Sequence, residues 1–217
     1  MKVLDRIQEH FIVAIIRGAG ADDVLPAVSA LYEGGIRVLE LTVTTPGVLT
    51  LIEQVRSAMP EDLVVGAGTV LDPETARAAI MAGAQFILSP TIRPETIAIT
   101  KRYGIVSIPG AMTPSEILTA YELGADIVKV FPAGSLGPKY IKDVNAPLPQ
   151  IPLMPTGGVG LDNIGAYVRA GAVAAGLGNS LYAPPLQGGA TDSYFAELKE
   201  RAVRFVEEVH RARTAQG

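Results

Sequence analysis

The sequence has no cysteine, and its only histidines are His10 and His210. Without cysteine there is no thiol nucleophile, no thiolate metal site and no disulfide. Two histidines near opposite ends of the chain exclude a histidine-rich metal centre within one protomer. A Ser-His-Asp triad would need one of these terminal residues. No metal and no other cofactor is therefore expected. Charge of one sign is also scarce: the formal net charge is -4 and no basic stripe appears. Nucleic acid is accordingly not an expected partner. No uninterrupted apolar run approaches the roughly 18 residues of a membrane span, so no membrane partner is expected either. The start, Met1-Lys2-Val3-Leu4-Asp5-Arg6, carries an acid early and leads into no long apolar stretch. It does not read as a secretory signal, and the expected location is cytoplasmic. Lys, Glu, Asp, Tyr, Ser and Thr remain for covalent or acid–base chemistry.

What is present is a chain of 217 residues, 48% hydrophobic and rich in alanine, glycine and valine. That length suits one compact domain with closely packed backbones. Apolar spacing predicts a helix over residues 1–10, then a buried strand at Phe11–Ile16. Asp22 and Asp23 are placed to cap a helix through Tyr32. Val38–Val43 is the second strand, and Pro46 opens a helix to Ser57. Leu63–Thr69 is a strand, followed by a helix from Pro73 to Gly83. Gln85–Pro90 is a strand, Pro94–Tyr103 a helix and Ile105–Gly110 a strand. Thr113-Pro114-Ser115-Glu116 has capping-box spacing and opens a helix that ends at Gly124. Asp126–Pro132 is a strand. Residues 137–145 form a short polar helix or turn, and Ile151–Thr156 a weak strand that two prolines interrupt. Asp162 caps a helix to Ala170, Gly171–Ala175 is the last strand, and Pro184-Pro185 and Gly188-Gly189 mark a loop. A final amphipathic helix runs from Thr191 to Ala212.

The strands are nearly continuously apolar, as parallel strands covered on both faces are. Each of the eight is followed by a helix or helical turn, with no linker and no shift in composition. The pattern predicts one (β/α)8 TIM barrel with an N-terminal helix, spanning residues 1–217 as a single domain. A doubly wound sheet is the alternative fold. Gly-Ala pairs before strands (Gly83-Ala84, Gly124-Ala125, Gly171-Ala172) are helix-stop signals.

Two charges interrupt the apolar strands, Glu40 and Lys129. Alternation puts Ile127, Lys129 and Phe131 on one face and Val128 and Val130 on the other. The ammonium thus lies among apolar neighbours whichever way the strand turns. Burying it favours loss of the proton, and a neutral lysine is a nucleophile toward carbonyls. The plain alternative is a lysine whose stem is buried and whose head reaches solvent. Glu40 either neutralises Lys129 or shuttles protons beside it. Active sites of such barrels lie at the C-terminal ends of strands, and several polar groups fall there. Arg17 is either a surface residue or a bidentate holder of carboxylate or phosphate. Thr69 either caps a loop or joins the site. Thr156-Gly157-Gly158 and Gly178-Asn179-Ser180 end the last two strands. Glycine there lets an anion approach backbone N–H groups, with a following helix N-terminus adding its dipole.

Five segments together resemble one family. They are Val38-Leu39-Glu40-Leu41-Thr42, Val65-Gly66-Ala67-Gly68-Thr69-Val70, Gly83-Ala84-Gln85-Phe86, Val128-Lys129-Val130-Phe131-Pro132 and Pro155-Thr156-Gly157-Gly158. In that order, across residues 7–183, they are similar to the KDPG/KHG aldolases. These cleave 2-keto-3-deoxy-6-phosphogluconate or 4-hydroxy-2-oxoglutarate. The resemblance implies a class I, Schiff-base aldolase in a homotrimer of barrels. Its partners are then small molecules: a 2-keto-3-deoxy phosphosugar acid, pyruvate and an aldehyde such as glyceraldehyde 3-phosphate. It makes Lys129 the Schiff-base lysine and Glu40 the general acid/base. It assigns substrate contact to Arg17, Thr69, Pro90 and Phe131, to Thr156 with Gly157-Gly158, and to Gly178-Asn179-Ser180. Many gluconate-type members carry an arginine where this chain has Thr44, and the galactonate branch lacks it. Gly137-Pro138-Lys139-Tyr140-Ile141-Lys142 and Gly176-Leu177-Gly178-Asn179-Ser180-Leu181-Tyr182 also resemble that branch.

The residues themselves leave two competitors. One is a cofactor-free phosphosugar isomerase or epimerase with Glu40 as base and Lys129 as electrostatic stabiliser. The other is a non-catalytic barrel that binds a phosphorylated metabolite.

Overall fold

The computed structural model describes residues 2–185 and 189–215; Gly188 of the expected loop lies outside the described residues. Helix α1 (Val3–His10) precedes β1 (Ile12–Ile16). Then follow α2 (Ala21–Glu33), β2 (Val38–Thr42), α3 (Val48–Ala58), β3 (Val64–Gly68) and α4 (Pro73–Met81). The chain continues through β4 (Phe86–Leu88), α5 (Pro94–Arg102), β5 (Val106–Ile108), β6 (Gly110–Ala111) and α6 (Pro114–Glu122). It ends with β7 (Val128–Val130), α7 (Gly137–Asn145), β8 (Leu153–Pro155), α8 (Ile164–Arg169), β9 (Ala175–Leu177) and α9 (Asp192–Thr214). Among the described residues no helix is long and apolar enough to cross a membrane.

The strands are parallel and form two arcs, β5-β4-β3-β2-β1-β9 and β6-β7-β8. At one seam the arcs are continuous in sequence, since β5 and β6 are one predicted strand broken at Pro109. Proline has no N–H for the ladder, but its carbonyl accepts from Lys129 N at 2.9 Å. At the other seam Thr156 pairs with Gly176, and Val173 N donates to Leu153 O at 3.0 Å. The ring closes as a TIM-like barrel with helices outside, and the doubly wound alternative is set aside.

Several expected boundaries are corrected. The last strand lies at Ala175–Leu177, later than Gly171–Ala175, because Gly171 takes φ 90° at the end of α8 and Ala172 N still bonds to Tyr167 O. Asp22 and Asp23 sit in the first turn of α2, whose cap is Gly20. Helix α3 starts at Val48 after Gly47, not at Pro46. Asn163, not Asp162, precedes α8; it accepts from Gly160 N and donates to Gly158 O, so it braces the loop before the helix. The Thr113–Glu116 capping box is formed as expected, and Gly83 and Gly124 end their helices at φ 102° and 100°.

Alternation along the strands divides the apolar side chains into two cores. Val128 and Val130 face outward into the layer between strands and helices. Ile127 faces inward with Val13, Val38, Val64, Phe86 and Met154. Ile7 of α1 is fully buried against this inner cluster, so the N-terminal helix plugs the floor of the barrel. Burial of one such side chain stabilises by about 1.5–3 kcal/mol, so the plug is anchored by Ile7 with help from Val3 and Leu4.

Candidate active site

Above the apolar floor the inner face turns polar. Glu40 enters from β2 and Lys129 from β7, 1% and 5% exposed respectively. Strand register puts Glu40 beside Ile15 and Gly66, and Lys129 beside Gly110 and Met154. Gly66 makes room for the Phe86 ring, since a Cβ there would come within 2.5 Å of ring carbons. The ring thus fills the barrel beneath the carboxylate.

Among the described residues no ion pair joins Glu40 to Lys129, and Glu40 Oε2 is buried with no hydrogen-bond partner. Burial pushes the Glu40 carboxyl up to about 7, against the pull of Lys129 and Arg17. Burial likewise lowers the Lys129 ammonium, with Arg17 adding to the effect and Glu40 opposing it. Both groups are therefore driven toward their neutral forms. The Lys129 Nζ also stands 4.7 Å from the centroid of the Phe131 ring.

A cavity of about 320 Å³ opens above them at the C-terminal ends of the strands. Lys129, Ile15 and Thr156 line it, and Phe131 and Arg17 stand at its sides. Phe131 is 37% exposed. The far wall is two turns, Gly157-Gly158-Val159 and Gly178-Asn179-Ser180. Gly157 and Gly158 have φ of 81° and 78°, which side chains rarely adopt. Ser180 Oγ donates to Val159 O at 2.7 Å and ties the turns together. The amides of Gly158, Val159, Asn179 and Ser180 donate to no acceptor among the described residues. Unpaired N–H groups lining a cavity are an anion cradle. The expected helix dipole is not part of it, because α8 starts only at Ile164 and the Gly178 turn runs into a loop.

Three predicted site residues, Glu40, Thr69 and Pro90, lie off the cavity lining. Thr69 follows β3 and takes φ 61°, a strained conformation for a β-branched residue. Val43 N to Gly68 O and Val70 N to Leu88 O hold the backbone on either side. Pro90 lines a neighbouring groove of about 300 Å³ that shares Phe131. Sequence reasoning missed Ile15 and Val159 as lining residues, and it placed Gly176 at a strand end without assigning it to the site. Ile15 was findable, two positions before Arg17 on the same face. Thr42 and Thr44, the polar positions that follow Glu40 on its strand, form a hydroxyl cluster with Thr45, which was not foreseen: Thr42 Oγ1 lies 3.0 Å from Thr44 Oγ1 and 3.4 Å from Thr45 Oγ1. His10 and His210 line a separate cavity of about 300 Å³ at the opposite end of the barrel. Among the described residues no three His, Asp or Glu side chains group as metal ligands.

A buried amine driven toward neutrality, with a buried carboxyl at about 7, suits proton transfer at a carbonyl compound. Glu40 accepts a proton only when ionised, so activity should rise with pH through about 7. An ordinary carboxyl would give that limb near 4.5. The measurement is kcat/KM against pH with and without Glu40→Asp; an acid limb that stays near 4.5 in the wild-type enzyme would contradict the assignment.

A family model described as "KDPG and KHG aldolase" matches residues 3–192. The chain is 37% identical over 172 residues to 2-dehydro-3-deoxy-6-phosphogalactonate aldolase of Escherichia coli K12, covering 79% of this chain and 84% of that protein. A solved structure of native KDPGal superposes with a TM-score of 0.85 at 34% identity, covering 94% of this chain and 96% of that one. KDPG aldolase from Legionella pneumophila, with pyruvate captured at low pH as a covalent carbinolamine intermediate, superposes with a TM-score of 0.79 at 25% identity, covering 98% of both chains.

Proposed function

The chain belongs to the KDPG and KHG aldolase family, and from that premise we propose a class I aldolase acting on a 2-keto-3-deoxy-6-phosphosugar acid. It yields pyruvate and D-glyceraldehyde 3-phosphate. 4-Hydroxy-2-oxoglutarate, giving pyruvate and glyoxylate, is a second substrate of the same chemistry. The observation that carries the reading is a buried lysine, without an ion-pair partner among the described residues, on the inner face of the barrel with a buried carboxyl.

Neutral Lys129 attacks the C2 carbonyl carbon, and loss of water from the carbinolamine leaves an iminium. Glu40, directly or through a water, removes the C4 hydroxyl proton. The C3–C4 bond breaks, its electron pair moves into the iminium as an enamine, and the aldehyde departs. Glu40 returns the proton to C3, water adds to the iminium, and pyruvate leaves the lysine. The unpaired amides of the two glycine turns hold the phosphate. Arg17 faces the cavity and supports the same anion or the carboxylate. Thr69, Pro90, Phe131 and Thr156 shape the remainder. The unit is a single barrel domain assembled as a homotrimer in the cytoplasm.

Thr44 in place of an arginine favours the galactonate epimer at C4. The test offers both C4 epimers and 4-hydroxy-2-oxoglutarate to the enzyme in EDTA and follows pyruvate release. Borohydride is added to a parallel sample with pyruvate. Cleavage undiminished by the chelator and a stable pyruvate adduct at Lys129 are expected. An isomerase or a binding barrel would give no adduct, and activity lost to EDTA and restored by a divalent metal would defeat the lysine mechanism.

A further inference from the structure

We propose that Gly68 is a positioning residue for the proton carrier: its bare backbone forms the notch in which the Glu40 carboxylate is seated. The proposal rests on the reading of Glu40 as acid/base. Strands β2 and β3 pair in register, Glu40 with Gly66 and Thr42 with Gly68. The Glu40 side chain leans up the barrel, so its carboxylate reaches the level of Gly68. A Cβ on Gly68 would lie 2.5 Å from Oε2 and 2.6 Å from Oε1, and its three nearest atoms all belong to that carboxylate.

Backbone conformation does not explain this glycine. Gly68 is absent from the residues of positive φ, so alanine fits its backbone. Space alone is the reason, and the space is taken by Glu40. Oε2 is buried with no hydrogen-bond partner among the described residues. An added methyl pushes the carboxylate toward the cavity and out of line with the bound carbon.

The reporter is exchange of the methyl protons of pyruvate in deuterated water, read by NMR. Glu40 takes a proton from the methyl of the pyruvyl iminium on Lys129. The C–H electron pair forms the enamine, and a solvent deuteron returns to carbon. Gly68→Ala should slow exchange about 10–100-fold, the scale of an ångström misplacement, while borohydride still traps the adduct. The acid limb of its exchange profile should move to lower pH, because the carboxylate is less buried. A purely structural loss would lower the rate without moving that limb.

Glu40→Asp in the Gly68→Ala background shortens the side chain by one methylene and makes room for the methyl. Measured against Glu40→Asp alone, the added methyl should then cost far less than the roughly 10–100-fold it costs the native enzyme. Should Gly68→Ala be insoluble, the double variant should recover soluble protein. Wild-type-like exchange and profile in Gly68→Ala would overturn the proposal. So would an equal loss in the Glu40→Asp background, or a double variant that still fails to fold, since the methyl then clashes elsewhere. Glu40→Gln in the otherwise native enzyme separates the two readings. If it exchanges at the wild-type rate, the acid/base role itself fails, and the notch with it.

Discussion

Lys129→Ala is expected to abolish cleavage and borohydride trapping together. Loss of a covalent nucleophile removes the only route to an electron sink at C2. The residual rate should lie well below about one hundredth of wild type, because such losses reach about 10⁴–10⁶-fold. The amine is not tied into the fold by charge. It makes no ion pair among the described residues, and burial already disfavours its charge. What alanine does remove is the packed stem. Lys129→Met keeps that stem and serves as the packing control. Both variants should retain a cooperative melt by circular dichroism while losing turnover. Retention of more than about one hundredth of the rate by Lys129→Met would take the nucleophile's role from Lys129.

Glu40→Gln should leave trapping largely intact and slow exchange of the pyruvate methyl protons. General acid–base catalysis supplies about 10²–10⁴-fold, and the loss should be of that order. Gln preserves shape, so a steric cause is weak. Stability provides an independent check. The folded carboxyl titrates at about 7 and its ordinary value is 4.5. Between those values the folded state holds a proton that the unfolded state has released. Raising the pH across this window therefore lowers the contribution of Glu40 to stability. Glu40→Gln should remove that slope from the melting temperature. Exchange at the wild-type rate would return Glu40 to the role of a counter-charge.

Much of this was legible in the residues. The strand and helix alternation follows from apolar runs between glycine and proline stops, and it held, although the last strand begins only at Ala175 and the fifth is divided at Pro109. Lys129 and Glu40 stood out because charge in an apolar strand is costly wherever the strand points. Period-two alternation placed Ile127 and Lys129 on one face, and that face is the interior. Less visible was what depends on neighbours. Pro109 reads as part of a strand, yet it divides β5 from β6. Asn163 outdoes Asp162 because its amide can both donate and accept, bonding Gly158 and Gly160 at once. Gly68 looks like any glycine at a strand end. Its meaning appears only when β2 is laid beside β3, and one chain read alone gives no such register.

Glu40 and Lys129 belong to different arcs of the barrel, β2 in the larger and β7 in the smaller. The arcs meet through Pro109 on one side and at the Thr156–Gly176 pair on the other. Pro155 leaves β8 one donor short along that second junction. Asp126 N also donates to Ser107 O across the first junction, at 3.0 Å. If these seams part before the halves unfold, the barrel opens like a clasp and Glu40 separates from Lys129. Amides of the smaller half should exchange with deuterium as one cooperative block, at a lower free energy than those of β1–β3. A covalent pyruvyl group on Lys129 with its anion ends held across the clasp would slow that block and leave the larger half unchanged.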